Sequence, residues 1–165
     1  RATSYLAKMR DVDLPMTSAI LASNRVHIDL AIEKVLATGK RRVGMVGLSF
    51  KTGTDDLRES PLVLIAEHFI GKGLALRVYD PEVHLSRLLG ANKRFIEQHV
   101  PHIDSLIERD LSPVIDASDV LVVGLGDARV SAEICALARP DQVVIDLANM
   151  KSREGLKARY EGLCW

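Results

Sequence analysis

The densest group of charged residues and glycines lies in residues 47–61, which read GLSFKTGTDDLRESP. Lys51 and Arg58 supply two cations there, and Gly53 lets the backbone turn or approach a ligand closely. An apolar run precedes the segment, and Ser60-Pro61 is typical of a helix start, whose free N–H groups attract anions. The pattern predicts a loop that binds a phosphorylated ligand at the carboxyl end of a strand.

The same charges allow a purely structural interpretation. Lys51 could pair with Asp55, and Arg58 with Glu59, at the surface of an ordinary loop. Such exposed pairs contribute little to stability and need no ligand. The residues leave both interpretations open, and ligand binding is favoured because open α/β sheets bind ligands at this edge.

Other catalytic and cofactor chemistry finds no support in the sequence. The glycines of residues 44–47 and 124–129 do not match the dinucleotide fingerprint, and no Gly-x-Ser-x-Gly motif occurs. Asp80 has the position of a ribose-binding carboxylate, but it is better interpreted as a turn carboxylate before Pro81. No metal site is predicted, since neither the cysteines, Cys135 and Cys164, nor the histidines, His27, His68, His84, His99 and His102, have ligand spacing.

The elements around this loop are predicted from hydrophobic runs. A helix over 16–36, stopped by Gly39, is apolar on more than one side and so needs neighbours on two faces. Short apolar strands at 41–48, 74–80, 119–124 and 142–146 alternate with helices at 60–70 and 128–138. This alternation predicts a Rossmann-like, doubly wound, mostly parallel α/β sheet preceded by a long helix.

The remaining segments are less regular. We expect a helix near Val83 to Leu89, further helices and one short strand within 102–117, and a short helix plus tail over 151–165. The domain division expected is a helical linker or dimerisation segment over 1–38 and an α/β domain over 39–165. The chain starts without Met inside a helical pattern, which indicates a fragment of a larger protein.

Composition limits the possible partners and compartments. Lys and Arg total 22 and Asp and Glu total 22, so no net field favours nucleic acid or an anionic membrane. No apolar run approaches the roughly 20 residues of a membrane helix. Two cysteines are too few for a disulfide framework and fit a reducing cytoplasm.

Residues 47–61 strongly resemble the signature loop in the C-terminal domain of the UDP-glucose/GDP-mannose dehydrogenase family. The resemblance extends to Val78-Tyr79-Asp80-Pro81, to Ser118-Asp119-Val120-Leu121-Val122 and to the C-terminal Gly162-Leu163-Cys164-Trp165. Gly90-Ala91-Asn92-Lys93 is most similar to the GDP-mannose branch. UDP-sugar members usually have an Arg where Ala148 stands, which favours the same branch.

The resemblance implies two NAD-dependent oxidations of the sugar C6 alcohol to a carboxylate, through a thioester on a cysteine outside this chain. Lys51 and Phe50 would contact the sugar nucleotide and Arg58 would reach the NAD, while Ser49, Gly53 and Asp55 would shape the loop. The chain alone would be inactive, with no catalytic residue of its own. The resemblance implies three partners, which are a GDP-mannose-like nucleotide sugar, the N-terminal NAD-binding domain, and further copies in a homodimer or larger oligomer. It also implies a role in polysaccharide synthesis, such as that of alginate.

Three alternatives stay open at this stage. The chain could belong to a UDP-glucose or other UDP-sugar 6-dehydrogenase within the same family. It could also be a non-catalytic nucleotide-binding regulator, or a dimerisation module in which Lys51 and Arg58 make only surface ion pairs. The residues that recognise the base, and the size of the oligomer, are not predicted.

Overall fold

The computed structural model of the chain describes residues 2–49, 53–83, 90–100 and 102–163. After two leading helices, strands and helices alternate as far as the last two strands, which follow each other with no helix between them among the described residues. The helices are α1 Ala2–Lys8, α2 Pro15–Ala37, α3 Pro61–Gly71, α4 Gly90–His99, α5 Leu111–Asp116 and α6 Ala128–Leu137. The strands are β1 Arg42–Val46, β2 Ala75–Tyr79, β3 Ile107–Glu108, β4 Val120–Val123, β5 Val143–Asp146 and β6 Arg159–Gly162.

These strands form one sheet in the order β3-β2-β1-β4-β5-β6, and each neighbouring pair is parallel. The order reverses between β1 and β4, so the sheet is doubly wound, as the sequence predicted. Val46 lies in register with Tyr79 on one side and with Val123 on the other. The loops after β1, β2 and β4 therefore leave the sheet at the same level, along its carboxyl edge.

Local sequence signals fix where two of the helices begin. Ser60 is extended (φ −65°, ψ 126°), its hydroxyl oxygen accepts the N–H of Leu62, and Pro61 is the first helical residue of α3. At α6 the carboxylate of Asp127 accepts the N–H groups of Arg129 and Val130. Both caps satisfy N–H groups that a helix start leaves without partners.

Helix α2 is buried only toward its C-terminal end. Ile28, Ala31, Ile32 and Val35 pack into the core on one face of the sheet. Before them, α1, the segment that joins it to α2, and the first half of α2 expose large apolar side chains, namely Tyr5, Leu6, Met9, Val12, Met16, Ile20, Leu21 and Val26. The helix thus packs on one side and presents uncovered apolar surface elsewhere.

Two segments differ from the sequence predictions. Residues 151–165 were expected to form a short helix and tail, but residues 159–162 form β6 because their backbone pairs with β5 along the sheet edge. Helix α4 was not predicted, since its sequence is mostly polar and only Ile96 is buried.

The expected short strand within 102–117 is β3, beside α5 and a 3₁₀ turn, Ile103–Ser105. The helix expected near Val83 to Leu89 falls outside the described residues after Val83.

No helix among the described residues is long and apolar enough to cross a membrane.

Candidate functional site

The candidate site begins where β1 and β4 end side by side. A Cβ on Gly47, whose φ is 100°, would lie 3.1 Å from the Cβ of Leu125 and 3.2 Å from the carbonyl carbon of Gly124. A Cβ on Gly124 would lie 2.5 Å from the methyl groups of Leu62 on α3. Glycine is therefore required at both positions, because the two loops and α3 close the floor of the crevice here.

Asp80 holds the start of the loop that follows β1. One carboxylate oxygen accepts the N–H groups of Leu48 at 2.7 Å and Ser49 at 2.8 Å, and the other accepts the N–H of Glu82 at 3.0 Å. The side chain is buried. Asp80 is thus a turn carboxylate, as predicted. It binds backbone N–H groups that would bind a phosphate in a dinucleotide-binding loop.

Ser60 joins the two ends of the same loop. Its hydroxyl donates to the carbonyl of Leu48 at 2.8 Å while it accepts the N–H of Leu62 at 3.3 Å. Ser60 is completely buried, so both bonds form away from solvent. The loop therefore leaves the sheet and enters α3 from a fixed base.

Asn92 on α4 holds the middle of the loop. Its side-chain oxygen accepts the N–H of Leu57 at 2.9 Å, and its side-chain nitrogen donates to the carbonyl of Asp55 at 2.6 Å. The side chain of Leu57 is fully buried in the core that also contains Ile96 of α4. Residues 55–57 are consequently held on α4 by one apolar anchor and two hydrogen bonds.

Arg58 lies just beyond this attachment and is oriented by Asp56. Two guanidinium nitrogens donate to the two carboxylate oxygens at 2.9 and 2.8 Å, and the backbone N–H of Arg58 donates to the same carboxylate at 3.1 Å. The hydrogen bond from Arg58 lowers the pKa of Asp56 to about 2, and the same bond raises the pKa of Arg58. Arg58 remains about half exposed and so presents an oriented cation to solvent.

The space between this loop and α4 is an open cleft of about 560 Å³. Arg58 lines one wall, and Arg94, Phe95 and Gln98 of α4 line the other. The ring of Phe95 stacks on His99 with centroids 4.1 Å apart. Two guanidinium groups and an aromatic ring suit the phosphate and ring parts of a nucleotide.

A second pocket of about 290 Å³ lies at the point where the strand order reverses, between α2 and the ends of β1 and β4. Its polar lining comes from Asn24, His27, Ser49 and Ser60, and its apolar lining includes Leu62 and Leu147. Open α/β sheets bind ligands at this position. Within the described ranges, no three His, Cys, Asp or Glu side chains come together as metal ligands.

The structure places four of the six predicted site residues around this loop. Arg58 faces the cleft, the carbonyl of Asp55 binds Asn92, Ser49 is buried beside Asp80, and Gly53 adopts a φ of 77°. Phe50 and Lys51 lie outside the described residues.

Sequence reasoning missed two residues that organise the loop. Asn92 was noted only as part of a motif, because α4 itself was not predicted. The role of Asp56 could have been found, since an Asp two residues before an Arg in a turn has a suitable spacing for a local pair.

A parallel, doubly wound sheet with a polar loop at its carboxyl edge defines an α/β domain of the Rossmann-like class. The chain belongs to the UDP-glucose/GDP-mannose dehydrogenase family, because residues 44–153 match the family model described as its UDP binding domain. This confirms the resemblance identified in the sequence.

The relatives that the chain matches include the GDP-mannose 6-dehydrogenases of Pseudomonas putida, at 44% identity, and Pseudomonas aeruginosa, at 42%. Each alignment covers 100% of this chain but only 38% and 37% of the relative, so the chain spans well under half their length. The UDP-glucose 6-dehydrogenase of Rickettsia bellii is 26% identical over 90% of this chain and 34% of its own length.

Solved structures agree with this assignment. A ternary complex of GDP-mannose dehydrogenase from Pseudomonas aeruginosa superposes with a TM-score of 0.83 at 42% identity, covering 100% of this chain and 37% of that one. A UDP-glucose dehydrogenase from Pyrobaculum islandicum gives a TM-score of 0.74 at 22% identity, over 99% of this chain and 35% of that one. The second likeness concerns the fold alone.

Proposed function

We propose that the chain is the nucleotide-sugar-binding part of an NAD-dependent GDP-mannose 6-dehydrogenase. The enzyme would convert GDP-mannose to GDP-mannuronate, with two NAD⁺ reduced and one water consumed for each sugar. The observation that carries the proposal is the loop of residues 47–61, which is held at both ends and in the middle and presents Arg58 beside a cleft. Similarity over the whole chain to GDP-mannose 6-dehydrogenases supports it.

The residues of this chain bind and orient, while bound NAD would accept hydride from the sugar. Arg58 binds the pyrophosphate of NAD, whose main site lies in the N-terminal domain of the complete enzyme. Its guanidinium group suits this role because it is charged, half exposed and fixed by Asp56. Lys51 and Phe50 contact the sugar nucleotide, while Ser49, Gly53 and Asp55 shape the loop.

The preference for GDP-mannose over a UDP-sugar gains support from the surroundings of Ala148. The N–H of Ala148 donates to Asp146 at 2.9 Å, and a Cβ on Gly126 would lie 3.2 Å from the carbonyl oxygen of Ala148. This turn is tightly packed against the loop after β4. UDP-sugar members of the family usually have an Arg at the position of Ala148. In this chain a methyl group stands there, so a cationic contact to the ligand from this position is missing.

The apolar surface of α1 and α2 supports the proposed domain division and partners. Residues 1–38 would link the α/β domain of 39–165 to the NAD-binding domain and bring two copies together in a homodimer or larger oligomer. Tyr5, Met9, Met16 and Ile20 are among the large side chains exposed on this surface. A reduced, buried Cys135 is consistent with the cytoplasm as the site of action.

The test is the oxidation of GDP-mannose by the full-length protein, followed as NADH. The proposal expects two NADH per GDP-mannose, and at least a tenfold loss of kcat/KM for the sugar nucleotide in Lys51→Ala. Lys72→Ala, which removes an exposed cation at the end of α3, is the matched control and should leave the rate unchanged. Absence of NADH formation would support a non-catalytic nucleotide-binding or dimerisation module instead.

A further inference from the structure

The side chain of Asn92 makes two hydrogen bonds to backbone groups that are distant from it in the sequence. They join α4 to the N–H of Leu57 and the carbonyl of Asp55, at 2.9 and 2.6 Å. Residues 54–57 belong to no helix or strand. The orientation of these peptide groups is therefore set by side-chain contacts, and Asn92 makes the contact on either side of Asp56.

The same short segment determines where Arg58 points. Asp56 lies between the two backbone groups that Asn92 holds, and its carboxylate binds the guanidinium of Arg58 through both oxygens. A rotation of the 55–57 backbone would carry the carboxylate, and the guanidinium bound to it, away from the cleft. Burial of Leu57 also anchors the segment to the core, and the hydroxyl of Thr54 accepts the N–H of Asp56 at 3.2 Å. Neither contact is made by the carbonyl of Asp55 or by the N–H of Leu57.

We propose that Asn92 is a positioning residue which, by holding Asp55 and Leu57 on α4, fixes the Asp56–Arg58 pair in the orientation that binds the phosphates of the cofactor. The inference rests on the function proposed above and extends it to a residue outside the loop. This role requires no contact between Asn92 and substrate or cofactor.

The amide is suited to this role because it offers a donor and an acceptor on one planar group. An Asp at the same position would keep the acceptor for Leu57 but face the carbonyl of Asp55 with a second oxygen. An Ala would remove both bonds and leave the segment held by the burial of Leu57, by the bond from Ser60 to the carbonyl of Leu57, and by the bond from Asp56 to the hydroxyl of Thr54. The two variants therefore separate partial from complete loss of the attachment.

Lys93 provides a matched control on the same helix. Its ammonium group is exposed and pairs only loosely with Glu97, 3.8 Å away and four residues on. Lys93→Ala leaves the contacts to the loop in place. It therefore reports any general effect of altering α4.

The first measurement is hydrogen exchange in the full-length protein, which requires no catalytic activity. Asn92→Ala should speed exchange in the peptide that contains the N–H of Leu57 by about tenfold, with exchange in β4 unchanged. Asn92→Asp should have a smaller effect, and Lys93→Ala none. Exchange at Leu57 equal in wild type and Asn92→Ala would overturn the proposal.

The second measurement is NAD affinity, by fluorescence titration with NADH and by the KM values of both substrates. Asn92→Ala should weaken NADH binding roughly fivefold to tenfold, equivalent to the loss of about one oriented hydrogen-bonded contact, and change the KM for GDP-mannose less than twofold. In an Arg58→Ala background the same substitution should change NADH binding less than twofold. Equal effects in both backgrounds would overturn the positioning role.

These results are distinguishable from failure of the proposed function. A protein that binds NADH but oxidises no GDP-mannose would contradict the proposed reaction while the exchange and binding results still decide the role of Asn92. A wild-type protein that binds no NADH would contradict both.

Discussion

The carboxylate of Asp80 accepts the backbone N–H of Ser49 at 2.8 Å, across from the end of β2 to the loop after β1. It accepts the N–H of Leu48 through the same oxygen. The position of Asp80 at the end of the second strand is that of a ribose-binding carboxylate in a dinucleotide-binding domain. Here its side chain shapes the loop after β1 instead. We therefore expect the nucleotide-binding groups of this domain to lie further along the loop, from Phe50 to Arg58.

Removing the Asp80 carboxylate should destabilise the fold as well as the loop. Asp80→Ala leaves the buried N–H groups of Leu48 and Ser49 without their acceptor, so we expect a loss of about 3 kcal/mol in the free energy of unfolding. Urea denaturation measures this change. Asp104→Ala, at an exposed position, is the control and should stay within about 0.5 kcal/mol of wild type. An equally small change in Asp80→Ala would contradict the role given to Asp80.

The Asp56–Arg58 pair should persist over the whole neutral and mildly acidic range. Because the folded pKa of Asp56, about 2, lies below its ordinary value of 3.8, the contribution of the pair is present above about pH 4 and is lost as the pH falls toward 2. Carboxyl-carbon NMR of Asp56 should show this low midpoint. Arg58→Ala should return the midpoint toward 3.8, and a midpoint already near 3.8 in wild type would mean that the pair does not form in solution.

Two glycine substitutions should have opposite effects on stability. Gly124→Ala places a methyl group 2.5 Å from the side chain of Leu62, so overpacking should cost about 1–3 kcal/mol. Gly71→Ala meets nothing within 4 Å at the end of α3 and should stabilise the protein by about 0.5 kcal/mol. Thermal unfolding of both variants checks the signs. A Gly124→Ala protein as stable as wild type would show that the loop after β4 does not approach Leu62 of α3 as closely as described.

The C-terminal strand should be held in part by one buried contact. The hydroxyl of Tyr160 on β6 donates to the fully buried carboxylate of Asp146 at 2.8 Å. Tyr160→Phe removes this donor to a charged acceptor, and we expect a cost of about 2 kcal/mol. Denaturant titration provides the value, and hydrogen exchange in β6 should accelerate with it. No change in either measurement would indicate that this hydrogen bond does not help to hold β6.

The sequence predicted the fold well wherever burial produces a distinctive pattern. The cores of β1, β4 and β5 are short apolar runs because their residues are buried on both faces, and Ser60-Pro61 marked the start of α3 because both residue types have a specific role there. Helix α4 has one buried residue and therefore gave almost no hydrophobic periodicity. Strand β6 is a partly exposed edge strand with a polar sequence, which local preferences alone do not identify.

The sequence indicated where the candidate site lies, but it predicted few of the contacts inside the site. The glycines and charges of residues 47–61 indicated a ligand loop, and Arg58 lines the cleft beside α4. The attachments by Asp80 and Asn92 span 31 and 35 residues along the chain. Contacts of that kind depend on how elements pack, and the element that carries Asn92 had not been predicted.

We propose that this domain selects a GDP-sugar for oxidation, and competition between two substrates tests this selection most directly. The measurement is the ratio of kcat/KM for GDP-mannose and UDP-glucose, determined with NAD on the full-length protein. We expect GDP-mannose to be preferred at least a hundredfold, a difference of about 2.7 kcal/mol in transition-state stabilisation. A preference for UDP-glucose would contradict the account and move the chain to the UDP-sugar branch of the family.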